Sequence, residues 1–247
     1  MSGGDDAVLQ RLDNRPLATK VRDTILQAIL RQSFDGGRLP SEDELANMLN
    51  VSRTTIRTAL HSLEQDGIIT RRRALGTTVN QHVRPDLIAL QQLAGFDWLL
   101  REKGHKVRVD VNWTREPVTA ETAQLFGSAP CEEALLTEKL FFADGQLAIY
   151  IRDLVPWEEI GKPPRGKLSA SLFEFSARHC RSAIDHAIVE IEPAVKRDEE
   201  TTKLAVAVGD PFARLHERHF ALDGRAIAYS VIDVDDKFIR FEVFRRQ

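Results

Sequence analysis

A length of 247 residues allows two compact domains, and the hydrophobic content of 43% is that of an ordinary globular protein. No run of about 18 apolar residues occurs, and the polar N-terminus lacks the apolar core of a signal peptide, which together argue against a membrane or secreted protein. The net charge of −3 excludes a protein that coats nucleic acid with its whole surface, so any DNA contact must be local. Two cysteines, Cys131 and Cys180, suit a reduced compartment without a disulfide framework. We therefore expect a cytoplasmic protein.

The first helix is predicted to follow a polar segment. Residues 1–14 are expected to be disordered, and Pro16 begins a helix that runs to about Ser33. An Asp-Gly-Gly sequence at residues 35–37 ends it. The apolar stripe of this helix consists of Leu17, Val21, Ile25, Ala28 and Ile29.

Two short helices joined by a tight turn are predicted next. Ser41 and Glu44 form a capping box that starts the first, and Ser52 caps the second. Asn50 suits the turn, since asparagine tolerates the left-handed backbone region. In the second helix one face is apolar, with Ile56, Ala59, Leu60 and Leu63. The other face carries Arg53 at its edge, Thr54, Arg57, Thr58 and His61, a pattern typical of a helix-turn-helix that reads DNA.

A small hairpin is predicted after this helix. Gly67 ends the helix, and residues 68–71 and 76–79 form the two strands of a wing. Residues 52–73 carry five arginines against two acidic residues, which is a local positive surface in an acidic chain. Such a charge distribution indicates one small DNA-reading head.

The sequence LPSEDELANMLNVSRTTIRTAL, followed by DGIITRR and GTTV, resembles the winged-helix signature of the GntR family of bacterial regulators over about residues 15–80. Asp43 departs from that pattern, because the family often has a basic residue there. Arginine suits guanine edges, whereas hydroxyls and wing amides suit phosphates. The residues predicted to contact DNA are Arg53, Thr54, Thr55, Arg57, Arg71, Arg72, Gly76, Thr77 and Thr78. The alternative is an ordinary solvated helix face.

The rest of the chain contains an internal repeat, after a short linker at residues 81–92. EKLFFADGQLAIYI at residues 138–151 aligns with ERHFALDGRAIAYS at residues 217–230, so that Lys139 corresponds to Arg218 and Tyr150 to Tyr229. Each copy has an Asp-Gly turn between strand-like runs, which predicts a hairpin. The repeat indicates a duplicated domain.

Each half is predicted to consist of a strand, a helix and a hairpin, and the two halves to form one antiparallel sheet with helices against one side. The fold class is therefore α+β. The further elements expected are strands at residues 107–111 and 187–191, helices at 120–126, 198–206 and 169–179, and a last strand at 237–244.

This region, residues 93–247, resembles the UTRA effector-binding domain of the HutC branch of GntR regulators, which is related in fold to chorismate lyase. The resemblance is carried by the hairpin at residues 143–145, Pro156, the Ser-Leu-Phe sequence at 171–173, and the second hairpin with Ile227 and Tyr229. It implies a pocket on one face of the sheet, completed by the middle helix, for a small-molecule effector.

The residues expected to bind the effector are Lys139, Phe141, Ile151, Ser171, Arg218 and Tyr229. Family members that bind sugar phosphates tend to have basic residues at the positions of Lys139 and Phe141 and an acid at that of Ile151, and this chain keeps only the lysine. We therefore expect a less charged effector, with one anionic group near Lys139 and an apolar body against Phe141 and Ile151. Ordinary core or surface strand residues are the alternative.

No metal, cofactor or catalytic residue is predicted. His216 and His219 are three apart on a strand and so face opposite sides, while His179, Cys180 and His186 form no closed ligand set. The resemblance implies a transcriptional regulator, most simply a repressor, that binds a near-palindromic DNA operator as a homodimer. Two alternatives remain open: a C-terminal domain that only dimerises, and an enzyme of the chorismate lyase-like fold.

Overall fold

The computed structural model describes residues 16–31, 33–72, 76–80, 95–126 and 131–241. The chain divides into two compact units, with the boundary near residue 88. The segment 1–14 and the linker 81–92 that the sequence predicts lie outside the described residues. Among the described helices, none combines the length and the hydropathy needed to cross a membrane.

The first unit is a three-helix domain with a two-stranded hairpin. The interior is formed by apolar side chains from all three helices, of which Leu26, Ile56, Leu60 and Leu63 are fully buried. Arg22 joins the first helix to the third, since its guanidinium donates hydrogen bonds to Ser62 Oγ at 3.1 Å and Asp66 Oδ2 at 2.6 Å. The elements are α1 (Leu17–Leu30), α2 (Glu42–Leu49), α3 (Arg53–Gln65), β1 (Ile69–Arg72) and β2 (Gly76–Val79).

The helix ends of this unit confirm the predicted turn chemistry. The Ser41 hydroxyl accepts a hydrogen bond from Glu44 N, and the Glu44 carboxylate accepts one from Ser41 N, so the capping box of α2 is complete. Asn50 has a φ of 51°, in the left-handed region, and turns the chain towards Ser52, which caps α3. Two side-chain caps and one asparagine turn therefore fix where α2 and α3 begin and end.

The wing is tied back to the end of α3. β1 and β2 pair antiparallel, with Ile69 opposite Val79 and Arg72 opposite Gly76. The Asn80 amide donates to Gly67 O at 2.6 Å, and Thr70 Oγ1 donates to Asn80 Oδ1 at 2.7 Å. The hairpin is thereby anchored beside the helix that carries the predicted DNA-contacting residues.

The second unit is built on a six-stranded antiparallel sheet, which confirms the α+β class. Its strands are arranged in the order β3-β4-β5-β8-β7-β6, so each half of the unit contributes three adjacent strands and the halves meet at β5 and β8. The elements are α4 (Phe96–Glu102), β3 (Val107–Pro117), α5 (Ala120–Gln124), β4 (Glu133–Ala143), β5 (Gln146–Pro156), α6 (Leu172–His179), β6 (His186–Val195), β7 (Pro211–Phe220) and β8 (Ala226–Val234).

The two halves are related by an approximate twofold axis. Residues of β5 correspond to residues of β8 numbered 79 higher, and Arg152 pairs with its own equivalent, Val231. Ile151 and its equivalent, Ser230, pair with Ile232 and Asp153, which are also equivalents. The axis therefore passes between Arg152 and Val231.

The outer strands correct the predicted alignment of the repeat by one residue. Lys139 pairs with Ile151, and Ser230, the equivalent of Ile151, pairs with Glu217. The structural equivalent of Lys139 is therefore Glu217, not Arg218. The reason lies in the loops: four residues, 143–146, separate the paired residues Phe142 and Leu147, whereas five, 221–225, separate their equivalents Phe220 and Ala226. The similarity across the two Asp-Gly turns hides this difference in loop length.

Two predicted elements are replaced by turns. Residues 198–206 do not form a helix, because the Asp198 carboxylate accepts hydrogen bonds from Glu200 N and Thr201 N and closes a turn instead. Leu204 in this segment packs with Tyr150 on the sheet. The predicted strand at 237–244 is absent over its described part, residues 237–241, where a turn follows Asp235.

Candidate DNA-binding surface and effector cavity

The residues predicted to read DNA lie on one exposed face of α3. Arg53, Thr54 and Arg57 are exposed, opposite the buried face of the helix. Thr55 is half-buried, and its backbone N–H and hydroxyl lie 3.1 Å and 2.8 Å from Ser52 Oγ, so it takes part in the cap of α3. Three of the four predicted residues of this helix thus present their side chains to solvent.

Acidic residues hold the arginines of this face. Arg57 donates two hydrogen bonds to Glu42 Oε2, at 2.8 Å and 3.1 Å, and Arg53 Nε lies 2.8 Å from Asp43 Oδ1. The hydrogen bonds from Arg57 lower the pKa of Glu42 despite its partial burial. Arg71 pairs with Glu64, with 2.7 Å between Nη2 and Oε2. Contact with a phosphate or a base therefore requires each arginine to leave, or share, a carboxylate partner.

The predicted wing residues occupy β1 and β2. Arg72 and Gly76 are exposed, whereas Thr77 and Thr78 are half-buried. The Thr77 carbonyl accepts a hydrogen bond from Leu39 N at 2.9 Å. Gly76 has a φ of 78°, and a Cβ there would lie 3.3 Å from Arg38 Nη2, so glycine both permits the backbone and leaves room for that guanidinium. Arg72 and the Gly76 backbone are thus the exposed ends of the two described wing strands.

A cavity lies against one face of the six-stranded sheet. The start of α6 and the residues that lead into α4 cover it. The enclosed volume is about 70 Å³, which is smaller than that of a typical drug-sized ligand site, and the cavity opens to solvent at its mouth. The lining residues are Gly95, Phe96, Asp97, Lys139, Phe141, Ile151, Asp153, Ala170, Ser171, Leu172, Phe173, Val189, Glu217, His219, Ser230 and Ile232.

Four of the six residues predicted to bind the effector line this cavity: Lys139, Phe141, Ile151 and Ser171. Arg218 and Tyr229 do not, because successive residues of a strand face opposite sides and their neighbours Glu217, His219 and Ser230 point to the cavity. The Tyr229 hydroxyl lies 2.5 Å from His216 Nδ1 on the other face. The one-residue error in the repeat alignment accounts for the placement of Arg218.

A buried ion pair forms the polar centre of the lining. Lys139 Nζ lies 2.6 Å from Asp153 Oδ2, and the two side chains are 3% and 2% exposed. Thr137 Oγ1 donates to Asp153 Oδ2 and Ser230 Oγ to Asp153 Oδ1, each at 2.7 Å. Burial alone would raise the pKa of Asp153, but the charge of Lys139 and these hydrogen bonds lower it overall. Lys139 is therefore already paired, so an anion bound near it would compete with Asp153 for the ammonium group.

Glu217 and His219 are cavity residues that the sequence analysis missed. Burial, reinforced by the charge of Asp153, raises the pKa of Glu217 to about 7. Burial also lowers the pKa of His219 to about 4, so the imidazole is neutral at physiological pH. A repeat alignment shifted by one residue in β7 would have matched Glu217 to Lys139 and His219 to Phe141. The sequence did not show that the second hairpin loop is one residue longer than the first, and this length sets the shift.

The described residues contain no group of three or more His, Cys, Asp or Glu placed to hold a metal ion. Cys131 and Cys180 are both buried, and burial raises the pKa of the Cys180 thiol to about 12, which makes it a poor nucleophile.

The first unit is a winged helix-turn-helix and the second a sheet domain with a solvent-open cavity, an architecture that occurs in ligand-responsive DNA-binding proteins. The chain belongs to the UTRA family, since residues 102–232 match the UTRA domain, and residues 17–79 match the bacterial regulatory proteins of the gntR family. Together the two matches account for both units of the chain.

Several curated proteins are similar to this chain. It is 28% identical to the HTH-type transcriptional regulator GgaR of Escherichia coli K12 over 148 residues, which cover 58% of either protein. The match therefore spans less than two thirds of that relative. It is 26% identical to the HTH-type transcriptional repressor NagR of Bacillus subtilis, covering 78% of this chain and 79% of NagR.

Solved structures share the fold. YydK of Bacillus subtilis, described as a possible transcriptional regulator, matches with a TM-score of 0.66 at 20% identity, over 94% of this chain and 100% of that one. PhnF of Mycobacterium smegmatis matches with a TM-score of 0.54 at 19% identity, over 92% and 99% of the two chains. At these identities the likeness concerns the architecture alone.

Proposed function

We propose that this chain is a sequence-specific DNA-binding transcriptional regulator whose affinity for its operator changes when a small molecule occupies the cavity of the second unit. The observation that carries the DNA-binding part is the exposed face of α3, where Arg53, Thr54 and Arg57 stand clear of the domain core beside an anchored wing. Arginine and hydroxyl side chains on such a helix suit base edges and phosphates in the major groove.

The cavity supports a sensing role for the second unit over one in dimerisation alone. It is open to solvent and combines an apolar lining with buried polar residues, as small-molecule sites do. If the effector and the operator are coupled, each changes the affinity of the other by the same factor. The family membership also favours a regulator over an enzyme of related fold.

The finer assignments are also part of the proposal. We infer a repressor of the HutC branch, supported by the similarity to NagR, whose name describes a repressor. One small reading head offers limited specificity, so we infer a homodimer that binds two half-sites of a near-palindromic operator about one helical turn apart. A protein that acts on chromosomal DNA in this way works in the cytoplasm.

Selection of genomic fragments on the immobilised full chain tests the proposal. Sequencing of the retained fragments should reveal an inverted repeat, and the same selection with Arg57→Ala should lose it. A fluorescence anisotropy titration of the selected fragment, with and without a metabolite extract, then measures the coupling. Retention of random fragments by the wild-type chain would overturn the proposed DNA-binding function. An affinity that no extract alters would overturn the sensing role.

A further inference from the structure

The cavity contains acceptor groups that no described residue satisfies. The Glu217 carboxylate makes no hydrogen bond within the described residues, and its closest basic atom, His219 Nε2, is 3.6 Å away on a neutral imidazole. Asp97, a second carboxylate in the lining, lies in the first turn of α4, where no side chain caps the helix, and has no hydrogen-bond partner among them. Polar groups in a half-enclosed apolar site gain free energy when a ligand supplies their hydrogen bonds.

A chain of hydrogen bonds that links Asp153, Ser230 and His219 fixes the tautomer of His219. Asp153 is ionised and has no proton to donate, so Ser230 Oγ donates to Asp153 Oδ1. Ser230 Oγ then accepts from His219 Nε2, 2.9 Å away, which places the single imidazole proton on Nε2. His219 Nδ1 is consequently an acceptor, and it is buried without a partner within the described residues. His219 Nδ1, Asp97 and the ionised form of Glu217 therefore all accept hydrogen bonds.

The charges of the lining residues also favour a ligand that donates hydrogen bonds and carries a positive charge. Among the lining residues that the structure describes, Lys139 is the one cation, and its ammonium is paired with Asp153. With that pair neutralised, Asp97 and, above about pH 7, the ionised Glu217 leave the described lining with an excess of negative charge. A phosphate or carboxylate would face this charge without a free cation to bind it.

We propose that the ligand of this cavity is a small organic cation, a primary or secondary amine whose N–H groups bind the Glu217 carboxylate while its apolar part packs against Phe141 and Ile151. The proposal rests on the proposed function, in which this cavity is the effector site. It replaces the anionic ligand that the sequence predicts, because Lys139 is not available. Phe96, Leu172, Phe173, Val189 and Ile232 supply the remaining apolar lining.

The proposal implies a pH dependence of binding. The other titratable residues that line the cavity with Glu217 are Asp97, Lys139, Asp153 and His219. Glu217 has a pKa of about 7, raised by burial, and an ammonium beside it favours the ionised form. Amine binding below pH 7 therefore releases a proton, and the affinity rises as the pH increases through about 7. A neutral ligand would not show this increase.

Ligands that share a carbon skeleton but differ in charge test directly which ligand charge the cavity prefers. The panel consists of butylamine, cyclohexylmethylamine, benzylamine and phenethylamine, each with the alcohol and the carboxylate of the same skeleton, plus a hexose phosphate. Thermal shift and calorimetry with the full chain at about pH 8 should show binding by amines, weaker binding by alcohols and none by the anions. Glu217→Gln should weaken amine binding by about tenfold or more, since a hydrogen bond to a charged group is lost.

Glu190→Gln is the matched control, because Glu190 is exposed in β6 and alternates with the cavity residue Val189. It should leave amine binding unchanged. Preferential binding of carboxylates or the phosphate, equal amine binding by Glu217→Gln, or no binding by any amine would each overturn the proposal. The genomic selection on the same preparation distinguishes failure of this proposal from failure of the proposed function. If the chain retains a defined DNA sequence but binds no amine, only the cationic ligand is refuted. If it retains random fragments, the proposed function as a regulator is refuted.

Discussion

Lys139 and Asp153 face each other from neighbouring strands with 2.6 Å between Nζ and Oδ2, and both side chains are excluded from solvent. Two further hydroxyls donate to the same carboxylate, so every oxygen of Asp153 is satisfied. A pair of this kind costs desolvation energy when it forms, but the loss of one partner leaves an uncompensated buried charge. The pair is therefore both a structural element of the sheet and the reason that the described part of the cavity lining has no unpaired cation.

Lys139→Met should lower the free energy of unfolding by about 3–5 kcal/mol, because Asp153 then remains buried without its counter-ion. Adding Asp153→Asn in the same chain should recover part of that loss, since the amide removes the charge and keeps an acceptor. Urea unfolding measures both. Lys203→Met is the surface control: Lys203 pairs with Glu138 but is half-exposed, so we expect a loss under about 1 kcal/mol. Equal losses for the two lysines would contradict a buried pair.

Glu217→Gln should make stability less sensitive to pH. The pKa of Glu217 is raised from 4.5 to about 7 in the folded protein. Between these values the folded chain holds a proton that the unfolded chain has lost, so the free energy of unfolding falls as the pH rises, and above about pH 7 the penalty is complete. The stability gained by Glu217→Gln over wild type should grow through this window to the order of 2–3 kcal/mol.

Urea titrations at about pH 5, 6, 7 and 8 check this difference. The opposite contribution of His219, whose pKa is lowered, is present in both chains and cancels in the comparison. Glu190→Gln should differ from wild type by an amount independent of pH. A constant difference for Glu217→Gln as well would show that Glu217 titrates normally.

Arg57→Ala should weaken binding to the selected operator by roughly 5- to 150-fold if this residue reads a base. The loss should be largest for the operator and small for unrelated DNA, since phosphate contacts carry no sequence information. Fluorescence anisotropy at one fixed salt concentration gives both affinities. Arg197→Ala removes an exposed arginine of the second unit and should leave both unchanged. Unchanged operator affinity in Arg57→Ala would remove this residue from base recognition.

Asp43→Ala should have the opposite effect and tighten DNA binding about two- to fivefold at low salt. Asp43 holds Arg53 with 2.8 Å between carboxylate and guanidinium, and both side chains are 60% exposed. The substitution frees the arginine and removes a negative charge from the neighbourhood of the phosphates. The gain should apply to all sequences and diminish as salt screens the interaction. Weaker binding would instead indicate that Asp43 orients Arg53 for DNA.

The DNA-binding unit was largely predictable because its signals are local. Ser41, Asn50 and Ser52 each specify backbone geometry within three or four residues, and the apolar stripe of α3 specifies its buried face. The carboxylate partners of the arginines were not predictable, because Glu42 and Arg57 are brought together only when α2 packs against α3.

The effector cavity was predictable only in part. Lys139, Phe141 and Ile151 followed from the resemblance to the UTRA domain, but the register of β7 depends on how many residues the second hairpin loop takes up. A one-residue difference exchanges the two faces of a strand, so Glu217 and His219 replaced Arg218. The turn at Asp198 shows a similar limit, since an aspartate that caps a helix and one that closes a turn use the same hydrogen bonds.

Two halves with identical side chains would offer any molecule at the seam between β5 and β8 two equivalent orientations. Here the equivalent positions differ in kind: Lys139 corresponds to Glu217, and Phe141 to His219. The backbone of the sheet is thus nearly symmetric, whereas the side chains that a bound molecule meets differ in charge and polarity between the two halves. A molecule with distinct ends has a single favoured pose, and its mirror image or its reversed isomer loses the match.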